Sequence, residues 1–133
     1  MRIFKNTWFD RFADKEGITD EDLRNIVKQL EDDQADANLG GGVYKVRGAR
    51  PGEGKSRGYR VIVFFRSGER TFFTYGFAKA ARTNIDRGEL QAFKADAKVS
   101  FSLTDEQVRD RLRRKTLVEV FLEDGHEIQK RDL

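Results

Sequence analysis

The chain has 133 residues, which suits one domain with a single sizeable core. Charged residues make up 37% and apolar residues 38%, with 11 phenylalanines, a composition that excludes a disordered chain. The net charge is only +3, cysteine is absent and no apolar run is long, which excludes a disulfide scaffold, a thiolate metal site, a signal peptide and a membrane span, so a soluble, cytoplasmic protein is expected.

Residues 2–5 read as a short strand. Thr7 and Asp10 have capping-box spacing and predict a helix ending near Gly17, with Trp8, Phe9 and Phe12 inward. Thr19-Asp20-Glu21-Asp22 opens a second helix with acids in its first turn. Its apolar stripe, Leu23, Ile26, Val27 and Leu30, is core-forming. The acidic run up to Asp36 and the glycines 40–42 read as a loop. From Val43 to Arg50 the period becomes two, with Lys45 and Arg47 on one face and Tyr44 and Val46 on the other. Residues 60–65 are a central strand, 66–70 a hairpin turn and 71–77 a further strand. A helix follows over 86–97, with Leu90, Phe93 and Ala97 on one face. Thr104-Asp-Glu-Gln107 caps another helix, and 116–121 is a short strand. From Glu123 the chain is polar and expected to fray, and His126, the sole histidine, falls in that tail. The order of elements predicts an α+β domain.

Charge is distributed unevenly along this order. Residues 1–39 carry six basic against ten acidic side chains, whereas residues 44–60 carry six basic against Glu53 alone. The stretch GARPGEGKSRGYR, residues 48–60, combines glycine with lysine and arginine and so points to phosphate. A nucleotide-binding P-loop is rejected, because Ala49 stands where its first glycine belongs and a strand follows where a helix is needed. A polyanion fits better. Lys45, Arg47 and the nearby Arg60 supply strand-borne charge, Arg50, Lys55 and Arg57 sit in the loop, and Tyr44, Tyr59 and Tyr75 offer stacking surfaces. The simpler alternative is a solvated, charge-rich hairpin. With His126 in the tail, no paired-histidine nuclease is expected, and no metal or cofactor is implied. Cleavage by attack of a ribose 2′-OH on its own phosphate needs neither, provided basic groups assist proton transfer and stabilise charge.

The order VYKVR, a glycine- and lysine-rich loop, GYRVIVFF, FFTYGFAK and A-R-x-N-I resembles the RelE/ParE superfamily of toxins, closest to its HigB-like branch. The resemblance covers about residues 1–97. It divides the chain into a toxin domain over 1–98 and an extension over 99–133 that packs on the same domain. It implies two amino-terminal helices on a small antiparallel sheet, with a helical extension at the carboxy terminus. It also implies an endoribonuclease that cuts messenger RNA on the ribosome, and a cognate antitoxin, often of helix-turn-helix type. By this resemblance Lys45, Arg47, Arg60 and Lys79 are the catalytic candidates, with Arg60 against the transition-state phosphate. Arg50, Lys55, Arg57, Tyr59 and Tyr75 are the RNA-binding candidates. The family's carboxy-terminal tyrosine or histidine has no counterpart, since Phe93 lies on the matching helix. A gyrase poison on the same fold and a nucleic-acid binder without chemistry remain as alternatives.

Overall fold

A computed structural model describes residues 1–50 and 54–121, with side chains for all of these except 49–50 and 54–57. The side chains of Arg50, Lys55 and Arg57, and all of His126, therefore lie outside the described residues. The elements are β1 (Ile3–Asn6), α1 (Thr7–Glu16), α2 (Asp20–Glu31), β2 (Ala37–Gly40), β3 (Val43–Arg50), β4 (Gly54–Phe64), β5 (Thr71–Ala78), α3 (Arg87–Phe101), α4 (Asp105–Arg113) and β6 (Leu117–Val120). One sheet runs in the order β2-β3-β4-β5-β1-β6. Its pairs are antiparallel except β1 with β5. The fold is α+β, as expected, with helices on both faces of the sheet. Arg50 ends β3 and Lys55 and Arg57 lie in β4, so these three are strand residues and not the loop residues expected, because the two strands continue their pairing as far as Arg50 and Gly54. No helix follows Gly54-Lys55-Ser56 to hold a nucleotide phosphate.

Strand alternation divides the interior in two. Ile3, Val46, Tyr59, Val61, Val63 and Phe73 turn toward α1 and α2, against Phe9, Ala13, Leu23, Ile26, Val27 and Leu30. Phe4, Val43, Ile62, Phe64, Phe72 and Leu117 turn the other way, toward α3 and α4, against Ala97, Leu103 and Val108. Leu90 and Phe93 join this second core half-buried, which is the α3 face that their spacing marks. Lys5 links the first layer to the strands, with its Nζ 2.9 Å from Asp10 and 3.4 Å from Asp20. Burial pulls its pKa down, but the two carboxylates outweigh this, and the net shift is upward.

Three further local features depart from the sequence reading. Asn6, not Thr7, caps α1: Asn6 Oδ1 accepts from the Phe9 N–H at 2.7 Å, while its Nδ2 donates to the Thr74 carbonyl at 3.0 Å. Thr7 is one residue too late, and its hydroxyl instead donates to the Lys115 carbonyl at 3.0 Å. Trp8 is 47% exposed, because α1 lies beside the part of β5 that outruns β1, where Trp8 stacks on Tyr75 with centroids 4.5 Å apart. The third is β2. The segment read as a loop becomes an edge strand because Gly40, Gly41 and Gly42 all take positive φ and turn the chain back onto β3.

Candidate functional site

The site forms on the α3/α4 face, where β3 ends, β4 begins and β5 ends. In the β3–β4 ladder Arg47 and Arg60 are direct partners, and Lys45 opposes Ile62, so all three cations share one face. Next across the sheet, β5 places Phe77 opposite Arg60 and Tyr75 opposite Ile62. Simple alternation from Phe73, which lies in the first core, would turn Tyr75 and Phe77 into that core too. A register shift between Ile62 and Val63 prevents it: Thr74 is the extra residue, its hydroxyl donates to the Ile62 carbonyl at 3.2 Å, and the phase of β5 flips.

Two like charges directly opposed repel. Here Asp36, just ahead of β2, lies between them, with Oδ2 3.1 Å from Arg47 Nε and 3.4 Å from Arg60 Nε. Arg47 is open to solvent at 46% of its side chain, whereas Arg60 is 10% exposed. Arg60 Nη1 is buried and has no hydrogen-bond partner among the described residues. An unmet buried donor costs about 1–3 kcal/mol, so such a group marks a place where the fold accepts a loss.

The segment between β5 and α3 closes the other side. Lys45 Nζ donates to Asn84 Oδ1 at 3.3 Å. Arg82 Nε donates to the Asn84 carbonyl at 2.8 Å. Arg82 also donates to the Tyr75 hydroxyl at 3.0 Å and grips both oxygens of Glu89 at 2.6 and 3.0 Å. Its guanidinium lies 5.5 Å from the centroid of Phe77 and 6.0 Å from that of Tyr75. These bonds, Glu89 first and Tyr75 second, raise the Arg82 pKa. The Arg82 bond, and then the Asp86 N–H, hold the Glu89 carboxyl down to about 2. Glu89 also completes the α3 capping box with Asp86, so the network is anchored on a helix start.

The structure thus brings Lys45, Arg47, Arg60 and Tyr75 together on one face. Lys79 follows β5, half-buried, and its backbone N–H donates to the Gly58 carbonyl at 3.1 Å. Tyr59 is not brought to this face. Adjacent to Arg60 on a strand, it must point the opposite way, and its ring is 3% exposed in the first core, flat across Gly48. Sequence reasoning missed Asp36, Arg82, Asn84, Phe77 and Glu89. Arg82 and Asn84 stand inside the A-R-x-N-I stretch and were legible there as a polar pair. Asp36 was lost in an acidic run, and nothing local marked it.

The profile described as "RelE toxin of RelE / RelB toxin-antitoxin system" matches residues 1–120. That match over most of the chain makes it a toxin of a toxin–antitoxin system. The chain belongs to the RelE toxin family, and membership implies an antitoxin partner. A search of curated protein sequences finds no match. No helix among the described residues is long and apolar enough to cross a membrane.

Proposed function

We propose that this toxin, of the HigB-like branch, is an endoribonuclease that cuts messenger RNA on the ribosome and is restrained by a helix-turn-helix antitoxin. The observation that carries the reading is the pairing of the exposed Arg47 with the largely buried Arg60 on one sheet face, with Lys45 beside them. In the reaction the 2′-oxygen attacks its adjacent phosphorus, the 5′-oxygen leaves as a hydroxyl by taking a proton from solvent, and a cyclic phosphate remains on the upstream fragment. Arg60 and Arg47 stabilise the extra charge on the five-coordinate phosphate. Lys45 stabilises the 2′-oxygen as its proton departs to solvent. Tyr75, half-buried and held by Arg82, is the ring left to meet a base, while Phe77 is buried beneath the site. Lys79 adds charge where the strand leaves the sheet. The ribosome supplies the attacking geometry, which accounts for a site with few proton-exchanging groups.

One observation favours a second reading, RNA binding without cleavage. Where some relatives carry a tyrosine or histidine, Phe93 packs on Tyr75 with centroids 5.6 Å apart and exchanges no proton. Brief induction in cells, with methionine and thymidine incorporation followed side by side, separates the readings. The nuclease lowers methionine incorporation first and leaves new 5′ ends in messenger RNA. Arg60→Gln should slow cleavage by about 10²–10³-fold, as for loss of one oxyanion-stabilising donor. Thymidine falling first would instead make the protein a gyrase poison, and no cut ends would leave the binding reading.

A further inference from the structure

We infer that Asp36 is a positioning residue for the paired arginines, holding Arg47 and Arg60 side by side so that one phosphate meets both. The inference rests on reading this face as RNA-binding. Left alone, two guanidiniums on directly opposed strand positions separate, each following its own rotamers. One oxygen of Asp36 reaches the Nε of both, at 3.1 and 3.4 Å. Its side chain is 21% exposed although the residue as a whole is open to solvent, so the carboxylate is turned largely toward the two guanidiniums.

Stability alone does not account for the arrangement. A guanidinium such as Arg60, taken out of water into an ion pair, is rarely more stabilising than apolar side chains of the same volume, and this one also leaves Arg60 Nη1 without a partner among the described residues. Nor does a single carboxylate balance two guanidiniums. The trio retains one positive charge, presented to solvent chiefly by Arg47, which an incoming phosphate oxygen would satisfy. Freezing a long side chain on binding weakens affinity by roughly two- to tenfold, and Asp36 removes that loss for both arginines in advance.

A double-mutant cycle on affinity tests this without requiring cleavage. The probe is a short RNA oligonucleotide with every ribose 2′-O-methylated, which cannot be cut. The proteins are wild type, Asp36→Asn, Arg60→Gln and the double variant, each first shown to be folded by its thermal transition. Arg60→Gln should weaken binding by about tenfold in the wild type but by about twofold or less beside Asp36→Asn, a coupling typical of residues acting as a unit. Asp36→Glu should retain most of the coupling. Asp36→Asn by itself removes a negative charge and should bind the probe no more weakly than wild type if charge alone matters. The same factor for Arg60→Gln in both backgrounds, or no binding by wild type, overturns the inference. Arg47→Gln gives the same cycle should the Arg60 variant not fold. Cleavage on programmed ribosomes is scored in parallel. Coupling without cleavage sinks the nuclease reading and leaves Asp36 as positioned, whereas cleavage without coupling does the reverse.

Discussion

At the scale of single residues, the arginines of the site lie against internal carboxylates, while Lys45 meets the neutral Asn84. Asp36 serves Arg47 and Arg60, and Glu89 serves Arg82. The second pair has a measurable signature. An isolated glutamate protonates near 4.5, but Glu89 is held down to about 2, chiefly by Arg82. Its folded-state pKa is depressed, so its stabilising contribution is full above the ordinary value near 4.5 and is lost progressively as pH falls from there through about 2. A carbon NMR titration of the Glu89 carboxyl should give a midpoint near that low value. In Arg82→Gln the midpoint should return toward the ordinary one, and an ordinary midpoint in the wild-type protein would mean the pair does not form in solution.

At the scale of elements, phase and closeness decide what the site contains. The extra residue at Thr74 turns Tyr75 and Phe77 toward Arg60, and Gly48 lets the Tyr59 ring lie flat on β3. A Cβ at position 48 would lie 2.1 Å from that ring. Gly48→Ala should therefore destabilise the fold by about 1–3 kcal/mol, as overpacking does, seen as a lower thermal midpoint. The cap of α1 gives a paired comparison. Asn6→Ala loses both the cap and the link to Thr74 and should cost about 1–2 kcal/mol. Thr7→Ala loses one bond to an exposed carbonyl and should cost a few tenths of that, roughly the size of an ordinary surface change. Equal costs would restore Thr7 as the cap.

At the scale of the molecule, acidic α2 and the basic β3–β4 face lie on opposite sides of one sheet. Glu21, Glu31, Asp32 and Asp33 are exposed on or just after α2, while Lys45, Arg47 and Arg60 line the other side. Such a dipolar arrangement orients the protein toward a polyanion, and the effect weakens with salt. If Lys45 meets one phosphate and the Arg47–Arg60 pair another, the logarithm of RNA affinity should fall with the logarithm of salt at a slope of about −1.4. Arg47→Gln should reduce that slope by roughly 0.7, the value for one charge on a single strand. An unchanged slope would remove Arg47 from the interface.

Much of this was legible in the chain. Periods of two and 3.6, caps at Thr19 and Thr104, and the shared face of Lys45 and Arg47 are local properties, fixed by backbone geometry within a few residues. What the tertiary structure decided is non-local. Pairing of a polar segment as β2 brought Asp36 beside two arginines. A bulge reset the phase of β5. Parity then sent Tyr59 into the core, although it adjoins Arg60 in sequence. Alternation fixes faces only relative to a register, and register is set by the partner strand, so the sequence by itself determined which residues share a face, and the sheet determined which face meets the ligand.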